Sequence, residues 1–152
     1  VSVDDVNASW EAIKQQERSA REQHGVLADV PVALPALPRA QKLQKRAAAV
    51  GFDWHEIGSV MQKLEEELEE LRTAIGNDNA AAVREEMGDV LFSCVNLSRH
   101  LKLDAEATLR ESSSKFEQRF RAMELMAAKA ETPLHELDET ALDSLWEKAK
   151  AL

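Results

Sequence analysis

From residue 38 to residue 129, apolar side chains recur every three or four positions almost without a break, and nothing alternates at period two long enough to make a convincing strand. A chain patterned this way has little choice but to pack helices against one another. Upstream, Val3, Val6, Trp10 and Ile13 mark an amphipathic helix over residues 3–23. The segment 24-HGVLADVPVALPALP-38 ends it, because three prolines and a glycine do not fit a regular helix, and its apolar residues predict a packed connection. A second helix is expected from near Pro38, where a missing N–H costs nothing in a first turn, to about Val50 ahead of Gly51. A third should run from Asp53–His55 to Ile75, with 76-GND-78 closing it and capping the next. A fourth is predicted over Asn79–Leu101 and a fifth from Ala105 to about Lys129, with Asp104 as its N-cap. The turn-rich 131-ETPLHELDET-140 then leads to a last helix over about 138–150 that carries Leu142, Leu145 and Trp146. No heptad pattern persists for the roughly three repeats that a coiled coil needs. The expected fold is therefore all-α, a compact bundle of five to six helices. A length of 152 residues suits a single domain over 1–152 with its core at about 38–130.

Charge narrows the possible partners. The formal net charge is -9, from 28 acidic and 19 basic residues, which opposes a broad grip on DNA or RNA. Phosphate ligands remain open, since a divalent cation reverses the local field. Cys94 is the only cysteine, so neither an internal disulfide nor a thiolate cluster is expected. No apolar run approaches the ~18 residues of a membrane span, and no cationic-then-apolar leader precedes the first helix, so the cytoplasm is the simplest compartment. A first residue of Val1 suggests a processed product or a piece of a longer protein.

Within this frame, 64-LEEELEELRTAIG-76 packs Glu65, Glu66, Glu67, Glu69 and Glu70 into one turn and a half of helix. Such a run reads either as a wet helix face or as a source of cation ligands. Taking Val60, Leu64, Leu68, Leu71 and Ile75 as the apolar stripe, a step of ~100° per residue puts Glu67 about 60° to one side and Glu70 about 120° to the same side. Glu66 faces water; Glu65 and Glu69 fall on the other flank, with Lys63 as a local partner. On the next helix the stripe is Val83, Met87, Val90, Cys94, Leu97 and Leu101, and Glu86 and Asp89 repeat the phase of Glu67 and Glu70. A short turn between the helices favours an antiparallel hairpin in which the two acidic flanks meet. Four carboxylates gathered there would repel one another strongly unless a hard cation, Mg2+ or Mn2+, completed an oxygen cage. Gly88, costly inside a helix, suggests close approach by a neighbouring helix or a ligand.

A metal so held favours a phosphate-bearing ligand, which also wants fixed cations. Lys115 and Arg119 in 115-KFEQRFR-121 project together, open to reading as a solvated pair or as a phosphate clamp. Arg39, Lys42, Lys45 and Arg46 form a basic stripe short for nucleic acid but suited to a triphosphate. Asn96 lies on the flank of Glu86 and Asp89 and suits either a ligand contact or a helix–helix tie; His100 suits an interaction with the helix end. Trp54 and Trp146 suit core packing or stacking on a nucleobase. His24, His55 and His135 have no zinc-site spacing.

The segments 35-LPALPRAQKLQKRAAAVGFDW-54, 64-LEEELEEL-71, 85-EEMGDVLFSCVNLSRHLKLDAEATLRESSSKFEQRFRAME-124 and the late Trp146 resemble the C-terminal catalytic domain of the MazG family, the all-helical nucleoside triphosphate pyrophosphohydrolases. The likeness spans nearly the whole chain. It lacks the GCPWDxxQT-type signature of the N-terminal half of long members, so the chain looks like the second domain of such a protein. The resemblance implies Mg2+-dependent hydrolysis of an NTP or dNTP to the monophosphate and pyrophosphate. It implies metal ligation by Glu67, Glu70, Glu86 and Asp89, and substrate-binding or catalytic roles for Lys115, Arg119 and Trp146. A homodimer, with a tetramer as the larger option, is also implied. Arg39, Lys42, Trp54 and Asn96 complete the candidate substrate contacts. Selectivity for noncanonical nucleotides, or a noncatalytic helical interaction domain, are the competing readings. One departure is Pro38, where the family often has methionine.

Overall fold

The computed structural model describes residues 3–152, except for the side chains of residues 20–24; Val1 and the side chain of His24 lie outside the described residues. Among them are six α-helices, α1 (Val3–His24), α2 (Ala36–Ala49), α3 (Ile57–Gly76), α4 (Ala80–His100), α5 (Ala105–Lys129) and α6 (Glu139–Lys150), with a 3-10 turn at Leu134–Glu136 and no strand. The all-α expectation holds. The chain divides into two compact units, Val1–Ala105 and Glu106–Leu152.

In the first unit, α2 ends in a sequence-encoded turn. Gly51 takes φ 93°, a conformation that favours glycine, and the chain closes with Phe52 N–H donating to Ala47 O and Gly51 N–H donating to Ala48 O, both at 3.0 Å. The turn delivers Phe52, Asp53 and Trp54 in an irregular segment, and α3 starts only at Ile57, later than expected, because Asp53 is engaged elsewhere. At the front of α2, Pro38 sits in the first turn, where the proline nitrogen forfeits no intrahelical bond. Asn79 caps α4 by accepting from Ala82 N–H at 3.2 Å, one residue beyond the expected 76-GND-78.

α3 and α4 pack along each other as a hairpin, and α2 packs on α4. The faces that this packing buries match those expected only in part: Val60 and Val90 are buried and Leu64 and Leu71 half-buried, as expected. On α3 the buried line is Val60, Glu67 and Ala74, at steps of seven, with Leu68 and Ile75 exposed. On α4 it is Val90, Ser93, Val95 and Asn96, with Met87, Cys94 and Leu101 exposed. Each helix has two apolar lines, and the chain turns inward the one that carries polar residues. Glu67 is therefore a core residue. At Gly88 the neighbouring-helix reading is corrected: among the described residues a Cβ there would meet nothing within 4 Å. The described α1 side chains Val3, Val6, Trp10 and Ile13 are exposed.

In the second unit, Phe116 stands 5.9 Å from Phe120 and 5.6 Å from Trp146, ring centre to ring centre. Met123, Ala127 and Ala149 are buried there, and Asp138 caps α6 by accepting from Ala141 N–H at 2.8 Å. Among the described residues, no helix is long and apolar enough to cross a membrane.

Candidate functional site

The hairpin brings Glu67 and Glu70 on α3 to Glu86 on α4, with one carboxylate oxygen from each residue lying within 4.8 Å of the others. Glu67 is held by Lys63, four residues earlier on the same face, whose Nζ lies 2.8 Å from Glu67 Oε1. That contact occupies one oxygen. Glu67 Oε2 is buried without a hydrogen-bond partner, and so is Glu86 Oε2. Buried acceptors normally find a donor, and two such orphans within one acidic cluster mark a place built for a positive group.

Titration points the same way. Scarcity of water around Glu86 lifts its carboxyl above the ordinary value; the hydrogen bond that protonated Glu86 donates to the Glu70 carboxylate and the negative charges of Glu70, Asp89 and Glu67 add to the rise. Lys63 is pushed above its usual range by its hydrogen bond with Glu67, against the opposing effect of burial. The cluster wants a proton or a cation, and its donors are all carboxylate oxygens, the set preferred by hard divalent ions. These residues can chelate a divalent metal. Asp89 is exposed and stands outside the tight trio, although its charge is felt at Glu86. Of the glutamates assigned to solvent, Glu65, Glu66 and Glu69 are exposed, with Glu69 paired to Arg72.

Beside the trio lies a cavity of about 450 Å³, within the range of small-molecule sites. Glu67, Asp89 and Lys63 form part of its wall; Phe52, Trp54 and Phe92 supply aromatic faces; Leu27, Leu43, Ala47 and Val60 supply aliphatic ones. Among its polar residues is Asn96. The expected contacts Trp54 and Asn96 are thus in this wall. Arg39 lines a different hollow with Val32, Leu34, Ala36, Ala40, Leu43 and Phe92, while Lys42 lines neither, because one turn of α2 cannot face the cavity with Leu43 and Gln44 and also with its basic stripe. Lys115, Arg119 and Trp146 belong to the second unit, where Arg119 Cζ lies 5.7 Å from the centre of the Trp146 ring.

One further element of the site had no sequence expectation. Asp53 receives a two-pronged contact from Arg99, with Nη2 donating to Oδ1 at 2.6 Å and Nη1 to Oδ2 at 3.1 Å. Trp54 N–H donates to Asp53 Oδ1 at 2.9 Å, and His100 Nε2 lies 2.9 Å from the same oxygen. The hydrogen bond from Arg99, opposed by burial and reinforced by His100, holds the Asp53 carboxyl at about 2, below its ordinary 3.8. This knot fastens the irregular segment carrying Trp54 to the last turn of α4.

Known proteins resemble this chain over nearly its whole length. Residues 55–123 match the family model described as the MazG nucleotide pyrophosphohydrolase domain, a span that holds the trio, Asp89 and Asn96. The nucleoside triphosphate pyrophosphohydrolase of Escherichia coli (strain K12) is 44% identical over 150 residues, covering 96% of this chain and 56% of that protein. A protein of Thermotoga maritima named nucleoside triphosphate pyrophosphohydrolase/pyrophosphatase MazG is 43% identical over 141 residues, 93% of this chain and 54% of that one. The uncharacterized protein YabN of Bacillus subtilis (strain 168) is 37% identical over 147 residues, 96% of this chain and 30% of its own length. The chain thus spans little more than half of the first two relatives. With its acidic hairpin and the matched span that contains it, the chain belongs to the MazG nucleotide pyrophosphohydrolase family.

Proposed function

We propose that this chain hydrolyses nucleoside or deoxynucleoside triphosphates to the monophosphate and pyrophosphate with the help of Mg2+. The observation that carries the reading is the convergence of Glu67, Glu70 and Glu86, two of them with buried unpartnered oxygens, beside a cavity lined by aromatic side chains. The names of the Escherichia coli and Thermotoga maritima relatives support it.

Glu67, Glu70 and Glu86 would hold the metal, with Asp89 joining from the cavity wall; Mn2+ is a plausible substitute because it accepts the same oxygen donors. The bound ion supplies charge neutralisation for the triphosphate. The apolar wall takes the base, with Trp54, Phe52 or Phe92 as a stacking face. Lys63 fixes Glu67 through Oε1 and leaves Oε2 for the metal, and a carboxylate of the cluster that the metal does not fully occupy accepts the proton of the attacking water. Water oxygen bonds to the α-phosphorus as the bond to the bridging oxygen breaks, and pyrophosphate departs. Lys115 and Arg119 are the proposed cations for the phosphates and Trp146 a further substrate contact, as the family resemblance implies. Arg39 and Lys42 line no part of the cavity, and their proposed substrate contacts rest on the sequence alone.

A second copy of the chain is the proposed partner, in a cytoplasmic setting. Support comes from Met61, Leu68 and Ile75, one exposed line on α3, and from exposed Met87 and Leu91 on α4. Hydrolysis in 18O-labelled water tests the chemistry. Label in the monophosphate together with free pyrophosphate agrees with the proposal, whereas diphosphate and orthophosphate as products contradict it.

A further inference from the structure

We propose that Arg99 is a positioning residue that turns the amide hydrogens of Asn96 into the cavity, so that the site favours a base bearing a carbonyl at that edge over one bearing an amino group. The inference rests on the nucleotide reading above and adds to it the class of base.

Asn96 is 5% exposed and lines the cavity. Its Oδ1 accepts from Arg99 twice, from Nη2 at 2.8 Å and from Nε at 3.3 Å. A guanidinium has donors and no acceptor, so this contact settles which end of the amide faces Arg99: the oxygen. The nitrogen must then face the other way, and among the described residues no hydrogen bond runs from it. Nearly buried and unmatched, its two hydrogens are what Asn96 offers to an occupant.

Arg99 cannot readily turn aside, because its other edge is committed. Nη1 and Nη2 grip both oxygens of Asp53, which in turn accepts from Trp54 N–H and faces His100 Nε2. The chain therefore spends a partly buried ion pair on fixing one amide in a wall that also carries Gln44, Ser93, Lys63, Glu67 and Asp89. A merely structural asparagine would have both ends matched. An amino group presented to Asn96 would bring donor against donor, and a polar site discriminates most strongly when the wrong ligand leaves buried groups unpaired.

The experiment compares kcat and KM for two pairs of triphosphates that differ by carbonyl against amino: inosine with adenosine, and uridine with cytidine. The native protein should favour the carbonyl member of each pair by about tenfold or more in kcat/KM. Asn96→Asp, equal in size but presenting an acceptor, should reverse the order. Arg99→Met frees the amide to turn over and should bring each pair within about threefold, through a higher KM for the carbonyl member. Melting curves establish folding, and if Arg99→Met does not fold, Asn96→Asp still decides the matter. Equal kcat/KM within both pairs in the native protein, or unchanged ratios in the folded variants, overturns the inference while leaving the hydrolase reading standing. Absence of pyrophosphate from all four triphosphates with Mg2+ overturns both.

Discussion

Replacing Asp53 by asparagine isolates the most strongly perturbed acid in the first unit. The folded carboxyl titrates at about 2 against an ordinary 3.8, chiefly because of the hydrogen bond from Arg99, and that gap corresponds to roughly 2 kcal/mol of native-state stabilisation at neutral pH. The side chain is 21% exposed, so water screens part of it, and asparagine retains one acceptor for Arg99. An expected cost of about 1–2 kcal/mol lowers the melting temperature by roughly 2–8 °C in a chain of this size. The sign with pH follows from the depressed value. The contribution is complete above the unfolded value of 3.8 and is lost as pH falls toward the folded value of about 2. About half should be gone by pH 3. Urea unfolding of both proteins at pH 7, 5 and 3, followed by far-UV circular dichroism, measures it. A variant as stable as the native protein at pH 7, or a difference as large at pH 3 as at pH 7, would refute the reasoning.

Other perturbations reach the remaining parts of the account. Glu67→Gln, Glu86→Gln and Asp89→Asn should each slow pyrophosphate release at least about a hundredfold, since a ligand ought to matter no less than an outer partner of a metal site. Glu66→Gln, on an exposed side chain, should change it little, and steady-state rates at saturating Mg2+ make the comparison. Light scattering at working concentration should give twice the 16.9 kDa chain mass or a higher multiple, and a persistent single-chain mass would contradict the proposed partner. Gly88→Ala should raise stability by about 0.5–1 kcal/mol, since the helix gains propensity and the new methyl meets nothing in the chain. A lower urea midpoint for that variant would mean that something outside the chain approaches α4 there.

The helices were legible because their signals are local. Period, proline position and capping residues located α1 to α6 to within a few residues, and the matched phase of Glu67, Glu70 and Glu86 anticipated three carboxylates that now stand together. What periodicity could not decide was which of two apolar lines on α3 faces inward. Val60–Glu67–Ala74 and Met61–Leu68–Ile75 share the same spacing, and only the partner helix distinguishes them. Reading the leucines as core placed Glu67 on a flank, whereas it is buried and paired with half-exposed Lys63. That pair had a usable signal, a lysine four residues before a glutamate, but four other glutamates in the run competed for it. The Asp53–Arg99 contact joins residues 46 positions apart. Nothing in local pattern announces such a pairing, although Gly51 marks the turn that brings Asp53 back to α4.

The central claim is that Glu67, Glu70 and Glu86, with Asp89 beside them, form one divalent-cation site. Titrating Mn2+ into the purified protein by electron paramagnetic resonance counts bound ions directly. The account predicts at least one ion per chain, displaced by Mg2+ and bound at least about tenfold more weakly in both Glu67→Gln and Glu86→Gln. Native-like Mn2+ affinity in both variants would contradict it.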